Sequence, residues 1–297
     1  MVTLRLSLQE ESNQVLFTGN SYVKEVILNR PMNLNVLTYE MVSLINGVVM
    51  GAGAGISIHG SFRVVTEKAV FAMPEVAIGL FPDVGASYFL SRLPGYFGEY
   101  LGLTGTRLDG AEMVVCGLAT HFVPSMNLNS MENALKTVTS SDISAIATLI
   151  DQFTEIAHLK EHSPLRRLET INKCFSNGTV EEIILSLENE ARNNATEKWI
   201  TNALSSMRSA SPTSLKLCLR LIREGRVQNI KQCLNREYNI AGHSIRRTVN
   251  SDFYEWEPSM VEQVSQEMID QCFSDVDDDN WQSLVLPSRS NLRISKL

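Results

Sequence analysis

The sequence has few cysteines, no excess of positive charge and no long apolar run. Its five cysteines never form a C-x-x-C pair, which argues against a secreted disulfide framework and favours reduced, buried thiols. A net charge of -7 over 297 residues argues against a general nucleic-acid binder, which needs a basic surface. The uncharged stretch over residues 42–58 is too short and too rich in glycine to cross a membrane. The first residues, MVTLRLSLQEE, lack the apolar segment of a signal peptide, so we expect no signal or transit peptide.

Several catalytic motifs are absent as well. The segment MGAGAGIS (50–57) has Ile56 where the dinucleotide fingerprint requires its third glycine, and no lysine follows it as a P-loop requires. His59 stands where the nucleophile elbow of serine hydrolases has a glycine. The five histidines are too scattered to indicate a metal site. We therefore expect any catalysis to use carboxylates, with neither a metal nor a redox cofactor.

The first part of the chain alternates between strand and helix patterns. We predict a strand within 21–31, a helix over 37–45, strand segments in 47–51 and 56–66 around a glycine-rich bend, and a short helix over 86–93. This alternation up to about residue 125 predicts an α/β core.

The second part of the chain is mostly helical. Residues 141–153 form an amphipathic pattern, Thr179 and Glu182 form a capping box before an apolar run, and 211–225 begins with Ser211-Pro212 and ends with Gly225. We predict a core over 12–130, followed by a helical region over 131–297 that includes an exposed tail.

Two carboxylates stand out in an apolar, proline-containing segment, FAMPEVAIGLFPDVGASYFLSRLPG (71–95). Apolar neighbours would raise the pKa of Glu75 and make it a usable general acid or base. The alternative is a carboxylate satisfied by an arginine or by backbone donors. Asp83 precedes Gly85 and a helix, so an N-cap role is the simpler alternative for it.

The glycine-rich loop Gly51–Gly55 is a further candidate. Such a turn leading into a helix leaves backbone N–H groups free, and these could hold the negative charge on a thioester oxygen during acyl transfer. The alternative is a tight turn with close packing.

Several segments together resemble the crotonase superfamily. The resemblance is closest to its 3-hydroxyisobutyryl-coenzyme A hydrolase branch, in the plant-like peroxisomal form, and it extends over nearly the whole chain. It is carried by NRPMNLNVL (29–37), INGVVMGAGAG (45–55), residues 71–95 quoted above, GLATHFVPS (117–125), CFSNGTVEEII (174–184), SPTSLKLCLRLIREG (211–225) and LPSRSNL (286–292).

This resemblance implies a crotonase-like (ββα spiral) core and hydrolysis of 3-hydroxyisobutyryl-CoA to 3-hydroxy-2-methylpropanoate and coenzyme A in valine catabolism. Glu75 would be the catalytic carboxylate, acting as nucleophile or as base for water, and Asp83 would bind the 3-hydroxyl of the substrate. The Ala52 N–H, between Gly51 and Gly53, would be an oxyanion donor. Coenzyme A is part of the substrate, so the resemblance implies no separate cofactor.

The chain also departs from the family pattern. Enoyl-CoA hydratases of the superfamily carry a second glutamate at the position matching Gly55 and a glycine matching Asp83, so the resemblance favours the hydrolase. A family segment with further strands and another oxyanion donor is missing between the N-R-P and I-N-G motifs, which makes this a truncated core, shortened near 40–46. A hydratase-like activity and a catalytically impaired truncated isoform remain the alternatives.

The sequence ends in Ser295-Lys296-Leu297, which as a C-terminal tripeptide is a peroxisomal address read by an import receptor. We therefore expect a peroxisomal location, that receptor and the acyl-CoA substrate as partners, and no nucleic-acid or membrane partner. The resemblance is compatible with a homo-oligomer.

Overall fold

The computed structural model describes residues 2–6, 15–19, 24–28, 41–138, 143–193, 197–248, 256–276, 281 and 284–286. These residues form two compact units. The first contains the described residues up to Ala72 together with Arg107–Arg166, and the second contains Met73–Thr106 and the described residues from Arg167 onward. The domain boundary predicted near residue 130 stays a prediction.

The first unit is built on two sheets. Its strands are β1 (Val2–Leu6), β2 (Val15–Gly19), β3 (Lys24–Leu28), β4 (Met41–Ile45), β5 (Val48–Met50), β6 (Phe62–Val65), β7 (Val70–Ala72), β8 (Leu108–Asp109) and β9 (His121–Phe122). The six-stranded sheet has the order β2-β3-β1-β4-β6-β9, and the three-stranded sheet has the order β5-β7-β8. Only the β2–β3 and β7–β8 pairs of described strands are antiparallel.

The described helices of this unit are α1 (Ala52–Ser57), α4 (Gly110–Val115), α5 (Leu128–Lys136) and α6 (Ile143–Asp151). The strands β4 and β6 pair in parallel, with Val42 opposite Phe62 and Leu44 opposite Val64. These four side chains and the apolar faces of α5 and α6 form one buried cluster. The helix predicted over 141–153 is confirmed as α6 within the described residues.

The helix predicted over 37–45 is wrong for residues 41–45, which form β4, and residues 37–40 lie outside the described residues. Ser43 and Ile45 are as buried as Val42 and Leu44, because β4 lies between β1 and β6 with both faces covered. A short strand that is buried on both faces lacks the alternation of apolar and polar residues, so its sequence cannot be told from a buried helix turn. The strand predicted at 56–66 is confirmed for β6, but residues 56–57 end helix α1 instead.

The second unit is helical. Its helices are α2 (Ala86–Leu90), α3 (Phe97–Thr104), α7 (Leu168–Phe175), α8 (Val180–Asn193), α9 (Lys198–Ser209), α10 (Pro212–Gly225), α11 (Ile230–Thr248) and α12 (Gln266–Phe273). Short 3-10 turns occur at Glu75–Ile78, Ser125–Asn127, Pro164–Arg167 and Val261–Gln263 along the two units. Among the described helices of both units, none is long and apolar enough to pass through a bilayer.

The predicted helix signals are confirmed here. Thr179 and Glu182 form the reciprocal capping box of α8. The Thr179 N–H donates to the Glu182 carboxylate with an N to O distance of 3.0 Å, and the Glu182 N–H donates to the Thr179 hydroxyl with an N to O distance of 3.2 Å. The Ser211 hydroxyl accepts a hydrogen bond from the Ser214 N–H at the start of α10, which has Pro212 at its first position. Local capping chemistry therefore fixes where these helices begin.

The backbone of α2 is in close contact with its neighbours. A Cβ atom at Gly98 of α3 would lie 2.0 Å from the Leu90 carbonyl oxygen, and one at Gly225 of α10 would lie 2.0 Å from the Ser87 carbonyl oxygen. Only glycine permits approach this close. The short helix α2 is thus held in place between α3 and α10.

Candidate active site

Glu75 begins the one-turn 3-10 helix Glu75–Ile78, three residues after β7 ends. The turn ends at Gly79, whose φ of 77° allows the Leu80 N–H to donate to the Glu75 carbonyl oxygen at 3.0 Å. The side chain of Glu75 is directed inward, and only 6% of the residue is exposed. Its Oε2 atom is buried and has no hydrogen-bond partner among the residues that the structure describes.

The surroundings of Glu75 favour its protonated form. Burial raises the pKa of Glu75 to about 7, a main-chain hydrogen bond opposes this rise, and the negative charge of Asp83 adds to it. No arginine is among the described groups that shift the pKa of Glu75, so the arginine alternative is wrong for the described residues, whereas the backbone-donor alternative holds for one main-chain hydrogen bond. A buried acid with an unpaired oxygen and a pKa near neutrality is a group that can exchange a proton or attack an electrophile.

Asp83 is half-buried in the turn before α2. Burial raises the pKa of its carboxyl group, against the effect of a main-chain hydrogen bond. The N-cap alternative for Asp83 is wrong, because Gly85 is the N-cap of α2 and α2 has no side-chain cap. Only the carbonyl oxygen of Asp83 takes part, accepting from the Ala86 N–H at 2.9 Å, so helix capping does not occupy the carboxylate.

Glu237 is a further buried acid close to Asp83, and the sequence patterns did not single it out. It lies on α11, is 2% exposed and accepts hydrogen bonds from the Gly85 N–H at 2.6 Å and the Ser87 N–H at 2.9 Å, and from the Ser87 hydroxyl. Burial raises the pKa of Glu237 to about 7 against these three hydrogen bonds, and Asp83 adds to the rise.

A signal for Glu237 exists in the sequence. The buried residues Cys233 and Ile240 mark the apolar side of α11, and Glu237 falls between them at helical spacing, four and three residues away. A charged residue in an apolar stripe needs a specific partner when it is buried. This exception to the pattern predicts a buried carboxylate, although the sequence does not say which donors it meets.

The glycine-rich loop starts helix α1. Gly51 is the N-cap with a φ of 52°, and its carbonyl oxygen accepts from the N–H groups of Ala54 and Gly55 at 2.9 and 3.2 Å. Within the described residues, the N–H groups of Ala52 and Gly53 have no acceptor, as expected for the first residues of a helix. Gly51, Ala52 and Gly53 are all half-buried, so these donors are not sealed within the core.

Within the second unit, the structure brings Glu75 and Asp83 near Glu237. Glu75, Asp83 and Glu237 belong to the second unit, where Asp83 acts electrostatically on both glutamates, whereas Gly51–Gly53 belong to the first. Among the described residues, no three histidine, cysteine or acidic side chains are arranged to hold a metal ion. The roles of these residues stay predictions.

Comparison with known proteins identifies similar sequences and structures. The family model for enoyl-CoA hydratase/isomerase matches residues 41–273. A protein of Arabidopsis thaliana named 3-hydroxyisobutyryl-CoA hydrolase 1 is 49% identical over 290 residues, covering 92% of this chain and 75% of that protein. A second A. thaliana protein, named probable 3-hydroxyisobutyryl-CoA hydrolase 2, is 48% identical over 294 residues, covering 93% of this chain and 77% of that one. The crystal structure of a carnitinyl-CoA dehydratase from Mycobacterium thermoresistibile superposes with a TM-score of 0.69 at 29% identity, covering 80% of this chain and 68% of that chain.

Proposed function

This chain belongs to the enoyl-CoA hydratase/isomerase (crotonase) family, and on that basis we propose that it hydrolyses the thioester of 3-hydroxyisobutyryl-CoA. Two relatives at 48% and 49% identity bear the name of that activity. The observation that carries the proposal is the buried carboxyl group of Glu75, which has an unpaired oxygen and a pKa near 7.

Glu75 can serve thioester hydrolysis by either of two routes. As a base, its carboxylate takes a proton from water, the resulting hydroxide attacks the carbonyl carbon, and the carbon–sulfur bond breaks as the thiolate of coenzyme A accepts the proton. As a nucleophile, the carboxylate itself forms a mixed anhydride with release of coenzyme A, and water then cleaves the anhydride. With a pKa of about 7, Glu75 can both lose and regain a proton near neutral pH, which suits proton transfer in both directions.

The other residues have supporting roles in this proposal. Asp83, whose carboxylate is not used for capping, accepts a hydrogen bond from the 3-hydroxyl group and so orients the acyl chain. The Ala52 N–H, which lacks an acceptor in the described part of the chain, donates to the thioester oxygen as it becomes negative. Gly55 offers no second carboxylate to protonate an enoyl carbon, so this set of residues favours hydrolysis over hydration.

The proposal is tested by two assays on one purified sample. Release of free thiol from 3-hydroxyisobutyryl-CoA measures hydrolysis, and loss of the conjugated double bond of a 2-enoyl-CoA measures hydration. We expect thiol release that saturates with substrate and little hydration. Hydration without thiol release would instead support the hydratase alternative, and a folded protein inactive in both assays would support an impaired isoform.

The two hydrolytic routes differ in the origin of the product oxygen. In a single turnover in ¹⁸O-labelled water, with enzyme in excess, the base route places the label only in the acyl product. The nucleophile route also allows water to attack the Glu75 carbonyl of the anhydride, which leaves the label in the peptide containing Glu75. Mass spectrometry of product and peptide separates the two.

Location and pathway complete the proposal. The tripeptide Ser295-Lys296-Leu297, which lies outside the described residues, supports recognition by the peroxisomal import receptor, and the proposed substrate supports a step in valine catabolism. A fusion with a fluorescent protein at the N-terminus should enter peroxisomes and should stay outside them after the tripeptide is deleted. Import that is unchanged by the deletion would contradict the address.

A further inference from the structure

Glu237 binds the backbone of the turn that follows Asp83. Val84 has a φ of 54° and Gly85 a φ of 88°, so two successive residues adopt the left-handed region. For a β-branched residue such as Val84 this conformation is strained. Strained residues of this kind persist only where the surrounding structure fixes them. Here the carboxylate of Glu237 accepts hydrogen bonds from the N–H groups of Gly85 and Ser87, which follow Val84 in the chain.

We propose that Glu237 is a positioning residue: by binding the N–H groups of Gly85 and Ser87, it fixes the turn so that the Asp83 carboxylate keeps one orientation toward the 3-hydroxyl of the acyl group. This inference rests on the proposed function, since it assumes the role given to Asp83. Glu237 itself touches neither substrate nor reacting atoms in this account. It acts only through the backbone that leads to Asp83.

The hydrogen-bond geometry explains why a carboxylate is needed at this position. Both oxygens of Glu237 face donors: Oε2 meets the Gly85 N–H, and Oε1 meets the N–H and hydroxyl of Ser87. The glutamine side chain has the same shape but only one oxygen, so its NH₂ group would oppose one of these N–H donors. Glu237→Gln therefore removes an acceptor from the turn while it leaves the packing of α11 almost unchanged.

The substrate pair 3-hydroxyisobutyryl-CoA and isobutyryl-CoA, which differ only in the 3-hydroxyl, measures the effect on Asp83. In Glu237→Gln we expect the kcat/KM for the hydroxylated thioester to fall about 10- to 100-fold, since small misplacements of orienting groups cost rates of this order. The kcat/KM for isobutyryl-CoA should change less than about twofold. Asp83→Asn should give the same loss of selectivity, and the double variant should be no worse than Asp83→Asn, because residues that act through one another are not additive.

Glu262→Gln is the matched control, because Glu262 is an exposed acid of the same unit. It should leave both values of kcat/KM unchanged. If Glu237 has a purely structural role, Glu237→Gln should lower kcat/KM equally for both thioesters. If it acts independently of Asp83, the loss of kcat/KM in the double variant should be the product of the two single losses. Either result overturns the proposal.

Hydrogen exchange tests the same claim without substrate. In the full-length protein, Glu237→Gln should speed exchange at the amides of Gly85 and Ser87, and Glu262→Gln should not. Unchanged exchange at these two amides would overturn the proposal whatever the kinetics show. If the wild type releases no thiol, the proposed function has failed, and the exchange measurement then decides alone whether Glu237 holds the turn.

Discussion

The buried carboxyl group of Glu75 makes the free energy of unfolding depend on pH, and Glu75→Gln removes that dependence. The pKa of Glu75 rises from its ordinary value of 4.5 to about 7 in the folded protein. At roughly 1.4 kcal/mol for each pH unit, this rise costs the folded state about 3 kcal/mol once the group is fully ionised.

The direction of the effect follows from proton binding. Between pH 4.5 and about 7 the folded protein holds a proton on Glu75 that the unfolded chain has lost. The free energy of unfolding therefore falls as the pH rises through this window and becomes constant above it. Glutamine does not titrate, so Glu75→Gln does not undergo this loss. The free energy of unfolding of Glu75→Gln minus that of wild type should therefore rise by about 3 kcal/mol between pH 4 and pH 8.

Denaturant titrations of wild type, Glu75→Gln and Glu262→Gln at several pH values between 4 and 8 would measure this gain. Glu237 also titrates near pH 7, but it is present in all three proteins, so the difference between them isolates Glu75. The exposed control should follow the wild type at every pH. A difference between Glu75→Gln and wild type that does not vary with pH would refute the assigned burial and pKa of this side chain.

Two further changes test other parts of the account. Ala52→Pro removes one N–H donor at the first position of α1, where proline is tolerated, and should lower kcat about 100- to 1,000-fold. The control is Gln266→Pro, at the first position of α12, which should leave kcat unchanged. Equal rates in Ala52→Pro and wild type would remove the Ala52 N–H from the mechanism. Gly225→Ala places a Cβ 2.0 Å from the Ser87 carbonyl oxygen and should lower the free energy of unfolding by about 1–3 kcal/mol; an unchanged denaturation midpoint would contradict the close packing of α2 on α10.

Local rules predicted much of the helical part of the fold. The starts of α8 and α10 depend on residues within four positions, such as Thr179 with Glu182, so the sequence contains all the information needed. The strand β4 was predicted as a helix because its character comes from neighbouring strands that cover both faces, and no local pattern records them. Helix α1 was missed because two of its six residues, Gly53 and Gly55, are glycines and Gly51 is its N-cap, and glycines this frequent suggest a bend.

The candidate site was predictable where burial follows from nearby residues. The apolar segment around Glu75 was enough to expect a raised pKa, and the structure agrees. Glu237 was missed because its partners, Gly85 and Ser87, lie about 150 residues earlier in the chain. The contact between Glu237 and these two residues forms only in the folded chain. The charged residue in the apolar stripe of α11 is the sequence signal for it.

The central claim is that Glu75 performs hydrolysis of the thioester, and the rate of thiol release from 3-hydroxyisobutyryl-CoA by wild type and by Glu75→Gln measures it directly. We expect the variant to be slower by about 100- to 10,000-fold, while Glu262→Gln keeps the wild-type rate. Release of thiol by the folded Glu75→Gln protein as fast as by wild type would contradict the claim.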